Sequence, residues 1–455
     1  MRTSGILLPI FSLPSTQGIG SFSREAFEFV DFLAEAGQKY WQILPLVPPG
    51  ACESPYQSIS TFAGNPLFID VYDLLNEGLI DEDDIEEWGG DKVDYNKVRK
   101  YKTKLLKKAF KKSEYYKTDE YVRFYIENSF WLEEYVQLMW LRNNEKPAYY
   151  RFEQFMFFKQ WMKVKEYANS KGIKIIGDLP IYVSLDSTDV FFHKELFEVD
   201  NDGKPYNVAG CEPDWSCKDG QVWGNPLYNW WRHGETDFDW WIKRIQHCFK
   251  LHDVVRLDHF RGFYDYYSIP YGDKTAKNGF WRLGPGFHLF QKIKERLGDV
   301  EFIAEDLGFL SQGVHDLMRD TGFPGMKILH FAFNGGKDNP YLPENISENY
   351  VVYTGTHDNN TTVGWYNEAT DWEKEHLKQY IPEIKDISWD LVELAMSTKA
   401  NTCIIQMQDY LGLGSEHRIN TPGTININWM WMMTEMPDKE LANRIKSITK
   451  QYNRI

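Results

Sequence analysis

Val254-Val255-Arg256-Leu257-Asp258 is a short apolar run that carries one cation and closes on a carboxylate, with His259 next in line. An apolar run of this length without polar alternation suits a parallel strand buried on both faces. Residues 5–9, 41–45, 173–178, 302–305, 326–330, 352–356 and 402–406 have the same character, and most lead into a helical pattern. Phe287, Phe290 and Ile293 recur at three-residue steps, with Gly298 as a C-cap candidate. Phe152, Phe155, Phe158 and Met162 form a second stripe, which ends at Lys171-Gly172 just ahead of a strand. Eight such strands separated by helices predict an α/β fold, a (β/α)8 TIM barrel.

The spacing of the runs is uneven. The long gaps after the second and third runs exceed an ordinary βα unit and must carry structure of their own. Residues 48–148 read as a mostly helical insertion, and residues 180–250 as a glycine-punctuated, aromatic loop-rich one over the barrel mouth. No linker separates independent units, so residues 1–455 are expected to form a single barrel domain without a separate C-terminal β-domain. Within the first insertion, residues 97–112 hold nine Lys/Arg, with Val98, Tyr101, Leu105 and Ala109 on one face. The acidic run 81–87 lies close upstream, which favours a solvated helix face over a nucleic-acid or membrane contact.

Composition narrows the function. The 455-residue chain has 51 Lys+Arg against 66 Asp+Glu, a formal charge of −15, which disfavours nucleic acid and anionic membranes as main partners. It also carries 17 Trp, 27 Tyr and 29 Phe. Most of these rings fill core in any protein, but rings in a loop such as Tyr206, Trp215, Trp223, Tyr228, Trp230 and Trp231 suit sugar faces. The cysteines Cys52, Cys211, Cys217, Cys248 and Cys403 are odd in number and widely spaced. They indicate neither a disulfide framework nor a zinc site. The N-terminal apolar stretch is too short for a signal sequence and is interrupted by Pro9, so a cytoplasmic location is expected.

In a barrel of this type the chemistry sits at the C-terminal strand ends. Four runs end on or beside a carboxylate: Asp178, Asp258, Glu305-Asp306, and Asp358 after Thr356-His357. Carboxylates gathered in one pocket are costly unless paired or partly protonated, so such a cluster does metal or acid–base work. A metal would draw on His259, His357, Asp258, Asp358 and Glu305, but no H-x-H or H-E-x-x-H spacing supports it, and no metal or cofactor is expected. Acid–base work at a glycosidic bond needs one carboxylate nucleophile and one carboxylic acid. Arg256, two residues before Asp258 and on the same strand face, would keep Asp258 ionised, while burial and neighbouring charge would keep the proton on Glu305.

A series of motifs carries a family resemblance. It comprises Ser4-Gly5-Ile6-Leu7-Leu8-Pro9 with Gly18-Ile19-Gly20, Trp41-Gln42-Ile43-Leu44-Pro45-Leu46 through Ser54-Pro55-Tyr56-Gln57-Ser58, and Gly64-Asn65-Pro66-Leu67. Gly177-Asp178-Leu179-Pro180-Ile181, Trp223-Gly224-Asn225-Pro226-Leu227-Tyr228 and Arg256-Leu257-Asp258-His259-Phe260-Arg261-Gly262 follow. Ala304-Glu305-Asp306-Leu307-Gly308, Thr354-Gly355-Thr356-His357-Asp358-Asn359 and Arg418-Ile419-Asn420-Thr421-Pro422-Gly423-Thr424 complete it. In this order they resemble the 4-α-glucanotransferase family, also called amylomaltase or disproportionating enzyme, within the α-amylase superfamily.

The resemblance implies transfer of an α-1,4-glucan segment to the 4-hydroxyl of another glucan or of glucose. Asp258 would be the nucleophile, Glu305 the general acid/base, and Asp358 the third carboxylate, binding the sugar in the cleavage subsite. Arg256, His357, Tyr56 and Asp178 match family residues of that subsite, and Trp223 and Trp215 match aromatics over the acceptor side. Asn360, Met432 and Ser216 depart from the family pattern, which bears on outer subsites and chain-length preference. The rival readings are an α-glucan hydrolase of the same superfamily, a catalytically inactive glucan-binding scaffold, and a metal-dependent hydrolase.

Overall fold

The computed structural model describes residues 2–50, 52–213, 217–308 and 310–455. Eight parallel strands form one sheet: β1 (Thr3–Leu7), β2 (Tyr40–Gln42), β3 (Lys174–Leu179), β4 (Val254–Leu257), β5 (Phe302–Ala304), β6 (Gly325–Ile328), β7 (Tyr350–Tyr353) and β8 (Thr402–Gln406). Every one of the eight runs read from the sequence contains or overlaps one of these strands. They follow chain order around the sheet, and β8 returns to pair with β1 in the register Thr3 to Thr402 through Leu7 to Gln406. The result is a nearly closed α/β barrel. Between β5 and β6 no ladder forms among the described residues, and the Ala304 amide donating to the Pro324 carbonyl (2.9 Å) bridges that seam.

Strand interiors are buried on both faces, as in Val254–Leu257 and Gly325–Ile328, which accounts for their unalternated apolar sequences. The flanking helices bury one stripe each. In α1 (Arg24–Glu35) the stripe is Ala26, Phe29, Val30 and Leu33, and Phe29 meets Trp41 of β2 edge-on at 5.1 Å.

The segment between β2 and β3 is mostly helical. It includes α2 (Tyr95–Lys112), capped by Asp94 through the Lys97 amide, then α3 (Asp119–Asn143) and α4 (Pro147–Ser170). Val98, Tyr101, Leu105 and Ala109 form the buried side of α2. Its cationic side meets the acidic run upstream: Lys108 pairs with Asp81 (2.7 Å) and Asp84 (2.5 Å), and Lys112 with Asp81 (2.7 Å). Lys102 instead turns inward and donates to the carbonyls of Leu67 (2.7 Å) and Ile69 (2.8 Å), and burial lowers its amine to about 8.

The segment between β3 and β4 holds more regular structure than a loop-rich reading predicts. Asn207–Cys211 and Gln221–Pro226 join Asp265–Pro270 and Phe280–Leu283, which follow β4, in a four-stranded antiparallel sheet. α5 (Asp239–Leu251) then leads into β4. These short strands contain Gly210, Gly224 and Pro226, residues that propensity assigns to turns. At Gly210 the glycine is a packing requirement, because a Cβ there would lie 2.1 Å from the Gln221 carbonyl oxygen. Farther along the chain lie α6 (Phe287–Leu297), α7 (Gln312–Thr321) and α8 (Lys439–Gln451). No helix among the described residues is long and apolar enough to cross a membrane.

The end of the barrel opposite the carboxylates is fastened by Arg454. Its fully buried guanidinium donates to the carbonyls of Met396 (2.8 Å), Thr398 (2.9 Å), Ala400 (2.9 Å) and Thr3 (3.2 Å), tying together the starts of β1 and β8. Arg454→Met should lower unfolding stability by about 3 kcal/mol, since several buried carbonyls lose a charged donor at once. A urea titration should show a lower midpoint at unchanged slope, with turnover of the folded variant intact. An unaltered midpoint would contradict this account.

Candidate active site

Asp178 and Arg256 are direct register partners on β3 and β4, and their side chains point into the barrel on the same side. One Arg256 nitrogen, Nη1, donates to both oxygens of Asp178 (2.7 and 2.6 Å) and approaches Asp258 Oδ1 at 3.3 Å. The other, Nη2, donates to Glu305 Oε2 at 2.8 Å. Asp258 and Glu305 sit one residue past the ends of β4 and β5, where the chain leaves the ladder and presents its side chains to the barrel mouth. A single guanidinium thus joins the carboxylates of three consecutive strands. Side-chain exposure grades outward, from 0% for Asp178 and 3% for Arg256 to 18% for Glu305, 24% for Asp258 and 45% for Asp358. Asp178 is therefore covered by its partners, whereas the other three carboxylates open to the mouth.

His259 follows Asp258 with a left-handed backbone (φ 47°), unusual for a residue with a side chain. This turn aims its amide at Glu305 Oε2, 2.7 Å away. The Glu305 backbone is also held toward β4, with its amide donating to Leu257 (3.1 Å) and its carbonyl accepting from Phe260 (3.2 Å).

The third exposed carboxylate is set by a tight turn after β7. Asn359 Oδ1 accepts from the Thr356 amide and hydroxyl, both at 2.9 Å. Asn420 then donates to Asp358 Oδ1 (2.6 Å) and Arg418 to the Asp358 carbonyl (2.5 Å). Tyr56 connects the two halves of the site. Its hydroxyl donates to Asp178 Oδ2 (2.6 Å) and lies 2.8 Å from His357 Nε2, and its ring stacks on the His357 imidazole at 5.3 Å and 11°. Glu305, Arg256, Asp178, Tyr56, His357 and Asp358 therefore form one continuous chain of contacts.

The hydrogen-bond pattern of Arg256 differs from the one expected. Sequence spacing has Arg256 keeping Asp258 ionised and Glu305 keeping the proton. Here Arg256 gives its short bonds to Asp178 and Glu305, and only a longer one to Asp258. Burial, followed by the negative charge of Glu305, holds the Asp258 carboxyl well above the usual carboxylate range against the pull of Arg256. Among the described residues, no group of three or more His, Cys, Asp or Glu is arranged to hold a metal ion.

Trp223 lies on the strand Gln221–Pro226 of the small sheet, and its indole meets the His259 ring edge-on at 5.0 Å. Trp215 and Ser216 fall outside the described residues. Of the other rings in this segment, Tyr228 is core, whereas Tyr206 and Trp231 are exposed. The departures at Asn360 and Met432 are both buried. Asn360 is buried and donates to Glu368 (2.9 Å) and Ser415 (3.0 Å), and Met432 is buried in the core.

Sequence reading assigned no role to the His259 amide, Arg418, Asn420 or Trp429. The last has a left-handed backbone (φ 64°) and packs 5.7 Å from Tyr56 and 6.1 Å from His357. Arg418 and Asn420 lie in one of the motifs quoted above, so a signal existed. The two left-handed turns leave no trace in residue type.

The family model described as 4-alpha-glucanotransferase matches residues 8–148 and 142–437. The chain belongs to this family. A 4-alpha-glucanotransferase of Clostridium butyricum is 44% identical, with 98% of this chain and 99% of that protein covered. One from Thermus thermophilus is 40% identical, covering 95% of each. An amylomaltase structure from Streptococcus agalactiae, solved in complex with acarbose, superposes with a TM-score of 0.95 at 39% identity over all of both chains.

Arg256→Leu should cost about 3–5 kcal/mol of stability, because it strands buried carboxylates without their cation. Losing a positive charge raises neighbouring carboxyl pKa values. The acid limb of the pH–kcat/KM profile, where a carboxylate must be ionised, should therefore move to higher pH. An acid limb that stays put in folded R256L would refute this role for the guanidinium.

Proposed function

We propose that the chain is a 4-alpha-glucanotransferase acting on α-1,4-glucans by retaining double displacement, with Asp258 as nucleophile and Glu305 as general acid/base. The observation that carries this reading is the Arg256 guanidinium in contact with both carboxylates at the open strand ends. Two carboxyl groups gathered on one cation can flank a glycosidic bond at the short separation that a retaining mechanism needs. In the first step Asp258 attacks the anomeric carbon while Glu305 passes its proton to the departing sugar oxygen. The result is a β-linked glycosyl ester on Asp258 and a carboxylate on Glu305, next to Nη2 of Arg256 and the His259 amide. In the second step this carboxylate takes the proton from an acceptor 4-hydroxyl, which displaces Asp258 and restores the α-linkage.

In this mechanism the proton is productive only on Glu305. The Asp258 carboxylate is then stabilised by Nη1 of Arg256. Asp358, with Asn420 and His357 around it, is suited to accept hydrogen bonds from the hydroxyls of the sugar being cleaved. Asp178 serves as support for Arg256 and Tyr56. Transfer rather than hydrolysis follows if the acceptor side excludes water while the ester survives. Trp223 is placed to bind an acceptor sugar by stacking, and Trp215 is assigned to the same side by resemblance. That a relative was solved in complex with acarbose supports a glucan-type ligand.

Incubation with maltotriose should give glucose and a ladder of longer oligomers. Reducing ends that rise in step with bond loss would instead identify a hydrolase. Asp258→Asn should abolish turnover. Glu305→Gln with α-glucosyl fluoride, which needs no acid to depart, should accumulate a glycosyl adduct on Asp258 visible by intact-mass spectrometry. Absence of that adduct would remove Asp258 and Glu305 from these roles.

A further inference from the structure

Among the described residues, the hydrogen bonds that hold Glu305 come from one side. Its backbone amide and carbonyl and its Oε2 all engage β4 and the turn after it. On the other side lies the β5–β6 seam, where no strand ladder forms among the described residues. The next side chain fills that gap. Asp306 Oδ1 accepts the Met326 amide of β6 at 2.6 Å, and Oδ2 lies 3.7 Å from Lys327 Nζ. The fit is close: a Cβ on Gly325 would come within 2.6 Å of the Asp306 carboxylate. Lys327 is itself buried, with its ammonium over the Tyr350 ring at 4.3 Å and the Tyr341 ring at 5.2 Å.

We infer that the Asp306–Lys327 pair is a positioning device for the general acid/base: Asp306 replaces the missing ladder bond at the seam, and the paired charges set the field in which Glu305 exchanges its proton. This rests on the reading of Glu305 given above. A side-chain acceptor takes the place a backbone carbonyl would occupy in a continuous sheet, so the residue bonded across the seam is the immediate neighbour of the catalytic carboxyl. A strand of three residues, Phe302–Ala304, has few ladder bonds of its own to resist a shift.

Among the described residues, charged and titratable groups face the pair from both sides. Arg256, Asp258 and the His259 ring face Glu305 from β4 and the turn after it. Lys327 from β6, Tyr341 from the segment after it and Tyr350 from β7 face Asp306. Burial pushes the Asp306 carboxyl up to about 6 against the pull of Lys327, so the carboxylate form predominates at neutral pH.

The test is the pH dependence of kcat and KM with maltotriose for three full-length variants. Asp306→Asn keeps an acceptor oxygen for the Met326 amide but removes the charge, leaving Lys327 uncompensated. Its basic limb, which reports the proton on Glu305, should move down by about one pH unit. Displacement of the acid should lower kcat about 10-fold at nearly constant KM. Lys327→Met should move the same limb up, and Lys327→Arg should return it to the wild-type position. Opposite displacements support the inference. Limbs that stay together in folded variants, as judged by urea midpoints, overturn it and leave Asp306 a merely structural residue. If Lys327→Met fails to fold, the Asp306→Asn displacement together with the Lys327→Arg limb decides. A normal glycosyl adduct in Glu305→Gln alongside unmoved limbs would sink only this assignment, whereas a missing adduct would sink the reading of Glu305 itself.

Discussion

A guanidinium buried at 3% exposure is tolerable only if anions surround it, because removing such a charge from water costs several kcal/mol without partners. Arg256 has three: Asp178 on β3, Asp258 beyond β4 and Glu305 beyond β5. The requirement is mutual, since three carboxylates in one half-buried mouth repel one another unless a cation lies between them. This balance fixes the relative positions of the ends of three strands. It also places one guanidinium nitrogen 2.8 Å from Glu305 and the other 3.3 Å from Asp258.

The segment between β2 and β3 contributes to the same site from outside. Tyr95, at the start of α2, donates to the Trp429 carbonyl at 2.6 Å, and Arg99, one turn further, holds Glu53 with two bonds of 2.6 and 2.7 Å. Glu53 lies three residues before Tyr56, and Trp429 packs behind Tyr56 and His357. The cationic helix therefore does two things. Its lysines pair with Asp81, Asp84 and Glu86 of the acidic run, and its first two turns brace the aromatic wall beside Asp358.

The proton arrangement connects this architecture to catalysis. Asp258 and Glu305 share a cation, and the negative charge of Glu305 adds to burial in pushing the Asp258 carboxyl upward. The proposed retaining transfer passes a proton twice, once outward to the departing sugar and once inward from the acceptor. The two halves of the reaction are then symmetric in the protein, and the fate of the ester depends on what occupies the acceptor side. The small antiparallel sheet bears on that outcome, because it presents Trp223 against His259, the residue whose amide holds Glu305.

The eight barrel strands and their order were legible in the sequence because strands buried on both faces need unbroken apolar runs, and that signature is local. The carboxylates that close those runs were legible for the same reason: position relative to a strand end is a sequence property. The four short antiparallel strands were not, since their glycines and prolines are turn residues by propensity and their pairing joins segments that follow different barrel strands. Tertiary structure alone decided which partner Arg256 bonds most closely, that the Asp258 carboxyl is pushed upward, and that His259 and Trp429 adopt left-handed backbones. Each of these depends on distances between groups far apart along the chain, and electrostatic coupling and steric strain act through space, where residue type and spacing carry no record of them.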